Sequence, residues 1–141
     1  MGHSWGCLYK PALCRNPTTL PDTAAEQFRQ VAGNRQSLLD QLSALSVRPG
    51  GAARHVLNLF QDALRHSIAA DQDFASWMSY LYTYYYTYPV GCPGTVPTDG
   101  NYEQAVNESG YASAAKAPLA TAVNRLARQF GWRSNWTGSQ I

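Results

Sequence analysis

The chain has 141 residues, a formal net charge of +2 and 14% charged residues. That length makes one domain of ordinary size, and low net charge with 45% hydrophobic residues argues against disorder. Charged residues fall well below the ~25% usual for soluble domains. The nine Arg and two Lys are scattered along the sequence, which leaves no electrostatic case for nucleic acid or an acidic partner.

Residues 1–21 hold Pro11, Pro17 and Pro21 and show no helical period. They read as an N-terminal arm packed on the body through Trp5, Leu8, Tyr9 and Leu13, with the bundle domain at 22–141. The start, MGHSWGCLYKPALC, lacks the basic region and apolar stretch of a secretory signal. Thr23-Ala24-Ala25-Glu26 reads as a capping box opening the first helix. Phe28, Val31, Arg35, Leu38, Leu42 and Leu45 then recur at spacings of 3 and 4 and predict its buried seam. Arg48-Pro49-Gly50-Gly51 stops the helix.

A second helix is predicted from about Ala52, with a stripe of Val56, Leu57, Phe60, Leu64, Ser67, Asp71, Phe74, Met78 and Leu81. Tyr80, Tyr82, Tyr84, Tyr86 and Tyr88 occupy every even position, which is a strand period. A strand needs a partner, and no other segment offers one, so the helix is expected to run to about Tyr85. Phe74–Thr98 carries no charge, but it holds three prolines. Its helix-compatible part reaches only about 22 Å, too short to span a membrane. Residues 89–101 read as one long loop. A third helical region, Tyr102 to Phe130, shows a period of Tyr111, Ala115, Leu119, Ala122, Leu126 and Phe130 and closes at Gly131. Pro118 either kinks it or divides it. The predicted fold is an all-α antiparallel three-helix bundle, four helices if the third breaks at Pro118, with the arm and one long loop.

Arg35, Ser67 and Asp71 lie on stripes that otherwise face the core, and Lys116 precedes Pro118. A charge on a core face has to be paired. These four residues form the expected buried polar network, either a structural ion pair of Asp71 with Arg35 or Lys116 or a small-ligand pocket between helices. His55, Asp62, His66 and Asp73 share one helical face, and that face is expected to meet solvent. With only two ligands in reach of one ion and no Cys–His cluster, no metal site and no cofactor are assigned. No Gly-x-Ser-x-Gly elbow is present and no catalytic residue is named. Nine Tyr and four Trp exceed what an Ala-rich core of three helices can bury. Tyr82, Tyr84, Tyr86 and Tyr88 are therefore the expected partner-binding surface, unless the arm and the 89–101 loop cover them.

Cys7, Cys14 and Cys92 fall outside the expected helices. Loop cysteines in a small aromatic-rich chain suggest an oxidising compartment. Cys14–Cys92 or Cys7–Cys92 would tie the arm to the long loop; a local Cys7–Cys14 bridge and three free thiols remain the alternatives. The pattern Ala63-Leu64…Ser67…Ala70-Asp71…Trp77, a following Cys, then Ala115-Lys116…Asn124…Ala127…Phe130-Gly131 resembles small helical extracytoplasmic modules of high-GC actinobacteria. The resemblance covers roughly residues 60–131 and implies export without implying a reaction. The combined expectation is a non-enzymatic binding or sensing module, exported or membrane-tethered, recognising a protein or cell-envelope ligand. The alternatives are a peripheral membrane or cell-wall-associated protein, and a small hydrolase working near Asp71.

Overall fold

The computed structural model describes residues 20–87 and 97–141. Three helices account for most of them: α1 (Leu20–Ser43), α2 (Ala52–Thr87) and α3 (Gly100–Gln129), followed by a tail that ends in a 3₁₀ turn, Gly138–Gln140. No strand occurs among the described residues, and the fold is the expected three-helix bundle. No helix among them is long and apolar enough to cross a membrane.

The helix ends follow local chemistry. α1 starts three residues before Thr23, with Pro21 in its first turn. The fixed φ of proline suits that turn, where its missing N–H would have no intrahelical partner. Thr23 and Glu26 therefore lie inside the helix and are not its cap. After α1 the chain turns at Gly50, whose φ of +74° favours glycine. The Arg54 guanidinium of α2 donates to the Val47 carbonyl and closes this short connection. The tyrosine run is helical to Thr87, so the alternating tyrosines are not a strand. At α3, Asp99 caps the start, its side chain accepting from the Tyr102 N–H at 3.0 Å.

Pro118 lies within α3 without dividing it, so the bundle has three helices rather than four. A helical proline deprives the carbonyl four residues earlier of its donor. Here that carbonyl belongs to Ala114, and both Ala114 and Pro118 are exposed, which leaves the site open to solvent. The end of α3 is a Schellman turn. The Trp132 N–H donates to the Ala127 carbonyl at 3.0 Å and the Gly131 N–H to Arg128 at 3.4 Å, with Gly131 at φ +68°.

α2 is the central helix. α1 and α3 both run antiparallel to it and pack along it closely. On the α1 side, Leu64 and Ile68 of α2 cluster with Leu39, with Leu42 and Phe60 packed against them, Asp71 meets Arg35 and Phe74 meets Phe28. On the α3 side, Trp77 meets Tyr102, and α3 buries Ala105, Ala112, Leu119 and Ala127. Aromatic rings tie the layers at one level. Phe28 stacks on Phe74 at 5.3 Å, and Tyr102 lies 6.4 Å from Phe74 and 4.7 Å from Trp77. The Trp77 indole N–H donates to the Pro97 carbonyl at 3.0 Å.

Two predicted seams are rotated. On α1 the buried positions are Ala25, Ala32 and Leu39, flanked by half-buried Phe28, Arg35 and Leu42, which leaves Val31, Leu38 and Leu45 exposed. On α3 the buried positions are Ala105, Ala112, Leu119, Ala120 and Ala127, while Tyr111 and Phe130 are exposed. In both cases the small alanines turn inward. They let the backbones approach and bring many atoms into contact, which offsets the larger side chains left on the flank.

Leu119 is 1% exposed at the α2–α3 contact, so Leu119→Ala is expected to lower stability by about 3 kcal/mol in urea titration. Gly131→Ala forces a Cβ into a left-handed position and is expected to cost about 1 kcal/mol in the same assay.

Candidate functional site

Asp71 is the one buried charged residue among those described, 7% exposed on the face of α2 that meets α1. The Arg35 guanidinium of α1 donates from Nη1 to Asp71 Oδ2. The pair is lopsided, because the Arg35 side chain is still 40% exposed. Burial pushes the Asp71 carboxyl above its ordinary value, and the hydrogen bond and charge of Arg35 pull it only part of the way back. Such a pair holds register but offers no open catalytic group.

The other two expected members of this network are elsewhere. Ser67 is half-buried one turn before Asp71, and no hydrogen bond links it to either partner. Lys116 belongs to the far part of α3, where the tail crosses it. A Cβ on Gly138 would stand 3.4 Å from Lys116 Cβ. The cation that neutralises Asp71 is therefore Arg35 rather than Lys116.

A second polar contact lies on the opposite flank of α2. His66 Nδ1 and Glu108 Oε2 are 2.5 Å apart, and the His66 ring sits 5.3 Å from that of Tyr111. Asp73 is half-buried one turn of α2 beyond Ala70. Its carboxyl is pushed up by burial and further by the charge of Glu108. The face carrying His66 and Asp73 was expected to meet solvent; it instead borders the α2–α3 contact, while Asp62 is exposed and bonded to Arg65 at 2.7 Å. No group of three metal-ligating side chains occurs among the described residues. Nothing in the sequence marks His66 and Glu108 as a contacting pair, because residues 42 apart carry no local signal for each other.

The tyrosines do not form one flat patch. Tyr80 and Tyr84 are one helical turn apart, with ring centroids at 6.1 Å, and Tyr82 projects from another side of α2. All three are half-buried. The Trp77–Tyr102 contact and the start of α3 at Gly100 set the level of the neighbouring helix. α2 therefore runs about two turns past that start. The side chain of Tyr86, the whole of Tyr88 and the cysteines Cys7, Cys14 and Cys92 lie outside the described residues, as does the arm to residue 19.

No family model matches the chain, and no curated protein or solved structure is detectably similar to it.

The lopsided burial of the ion pair has a measurable consequence. Arg35→Met strands a buried carboxylate, whereas Asp71→Asn leaves a guanidinium that reaches water. Arg35→Met is therefore expected to cost the more stability, by about 1–2 kcal/mol, in parallel denaturant titrations. A folded-state pKa above the unfolded value means that the native state holds the proton longer. Through the interval from 3.8 upward to that raised value, Asp71 makes stability fall as pH rises. Subtracting the pH–stability curve of Asp71→Asn from that of the unaltered protein is expected to show this falling segment.

Proposed function

We propose that the protein is a non-enzymatic binding or sensing module that meets a protein or cell-envelope ligand through the tyrosine-bearing end of α2. The observation that carries this reading is the Tyr80–Tyr84 pair on the part of α2 that runs past the start of α3. Tyrosine gives large contact area at low conformational-entropy cost, and its hydroxyl tolerates a wet rim. Asp71, the group around which a hydrolase would be built, is instead buried and engaged by Arg35, which supports binding over hydrolysis. A peripheral membrane or cell-wall role through the same rings is the second reading, favoured by the amphipathic character of tyrosine at interfaces. An exported or tethered location accompanies the proposal and rests on the three cysteines and the aromatic content of the sequence.

The test is the double variant Tyr82→Ala/Tyr84→Ala in the full chain, read by pull-down from cell-envelope extract and by glycan and liposome co-sedimentation. Retained melting temperature with lost capture is the expected result, and the assay that responds separates protein, glycan and membrane ligands. Unfolding of the variant, or capture equal to that of the unaltered chain, contradicts the proposal.

A further inference from the structure

At the opposite end of the bundle the chain builds a second feature, independent of the tyrosines. After the Schellman turn the tail folds back along α3. The Asn124 amide clamps it, Nδ2 donating to the Trp136 carbonyl at 2.8 Å while the Trp136 N–H donates to Asn124 Oδ1 at 2.9 Å. Gly138 lies on Lys116 and Ala117, and the Thr137 N–H is held by the Gln140 side chain at 2.9 Å. This anchoring leaves an apolar cleft of about 270 Å³ between the start of α2, the end of α3 and the tail, lined by Val56, Val123, Leu126, Ala127, Trp132 and Trp136 with Arg133 at its edge. The Arg133 guanidinium stacks 4.4 Å over Trp136, and its Nε donates to Asn135 Oδ1 at 2.8 Å. Trp132 stacks on Phe130 at 4.9 Å, and the two are 65% and 60% exposed.

Size and lining restrict what fits. An apolar cavity of roughly 150 Å³ takes a single benzene ring, and pockets for drug-sized ligands run from roughly 300 Å³ upward. The cleft lies between these limits, suited to a short chain or a fused ring. Its lining offers almost nothing to hydrogen-bond, so the buried part of a ligand has to be apolar.

Charge restricts the other end of the ligand. Arg48 in the α1–α2 connection, Arg54 at the start of α2, Arg125 and Arg128 in the last turns of α3 and Arg133 on the tail all belong to this end of the bundle, with Arg133 bordering the cleft. None of the five is in an ion pair among the described residues, whose pairs are Arg29–Glu26, Arg35–Asp71, Arg65–Asp62 and His66–Glu108. The first turn of α2 holds no acid. Asp40, three residues before the end of α1, is in none of these ion pairs and accepts from Gln36 at 2.8 Å. Two helix C-termini and one N-terminus meet here, a net partial charge of about −0.5, which the arginines far outweigh. Scattered in sequence, these arginines become a basic pole only through the antiparallel fold.

We infer that this cleft is a binding site for a small anionic amphiphile, its apolar body between Val123, Trp132 and Trp136 and its carboxylate or phosphate head toward Arg133 and the neighbouring arginines. The same chemistry is offered by a free fatty acid and by an acidic membrane lipid.

Decanoate and decyltrimethylammonium share a chain and differ in head charge, and tryptophan emission of the full chain reads both. Decanoate is expected to saturate at one per chain and to bind about tenfold tighter than the cation, the equivalent of ~1.4 kcal/mol. Trp132→Phe and Trp136→Phe are expected to remove the emission change. Val123→Phe fills the cleft and is expected to weaken decanoate about tenfold. Trp132→Ala, at an exposed position, gives the same reading if Val123→Phe does not fold. Arg133→Gln is expected to narrow the preference for the anion. Vesicles of phosphatidylcholine with and without phosphatidylglycerol identify the source. Recruitment only to the acidic vesicles, with decanoate competing, supports a membrane lipid, and decanoate binding without recruitment supports a free amphiphile. No saturable decanoate binding, equal affinity for the two heads, or indifference to both cleft variants overturns the inference. These readouts do not involve Tyr82 or Tyr84, so their failure leaves the tyrosine proposal standing, and the converse holds.

Discussion

A single carboxylate buried on the central helix organises this bundle. Asp71 sits where α1 crosses α2, and burial there favours its neutral form. Arg35 offsets part of that penalty while keeping much of its own side chain in water. An ion pair of this kind adds little net stability compared with an apolar pair. What it adds is geometry. With Asp71 bonded to Arg35, Phe28 comes level with Phe74, and Tyr102 and Trp77 complete the aromatic layer. Rotation about the helix axis is fixed separately, by Arg29 donating to Ser79 at 2.9 Å and Gln61 donating to Ser43 at 3.2 Å. Both bonds lie on the flank of α1 opposite Val31, Leu38 and Leu45.

Helix number, order and breaks were legible because they depend on local chemistry. Arg48-Pro49-Gly50-Gly51 breaks any helix, Gly131 closes one, and the periodicity of α2 runs through the tyrosines without a strand to pair them. Rotation was less legible because two seams on α1 share Phe28, Arg35 and Leu42. Counting large apolar side chains favours the flank with Val31, Leu38 and Leu45, whereas the fold buries Ala25, Ala32 and Leu39. Alanine scores low as a hydrophobe but allows close backbone approach, and that pairwise property is invisible in one helix read alone. The same reason turned Tyr111 and Phe130 outward on α3.

The polar network was half legible for a related reason. Arg35 and Asp71 interrupt apolar stripes, and an interruption on a core face demands a partner. Lys116 interrupts nothing in the observed seam and ends under the tail at Gly138. The His66–Glu108 contact joins residues 42 apart that carry no individual mark in the sequence. The tail was the larger omission: its clamp depends on Asn124, a residue of ordinary appearance whose amide supplies one donor and one acceptor to the same backbone unit. The two ends of the molecule consequently differ in character, one rich in tyrosine and the other in arginine and tryptophan around an apolar cleft.

The most direct measurement is the titration of the Asp71 side-chain carboxyl carbon by NMR in the folded, full-length chain. Burial outweighing the arginine predicts a midpoint above 3.8 and a further rise in Arg35→Met. A midpoint at or below 3.8, or one that does not move when the guanidinium is removed, would place the carboxylate in water or on another partner and contradict the packing of α1 on α2.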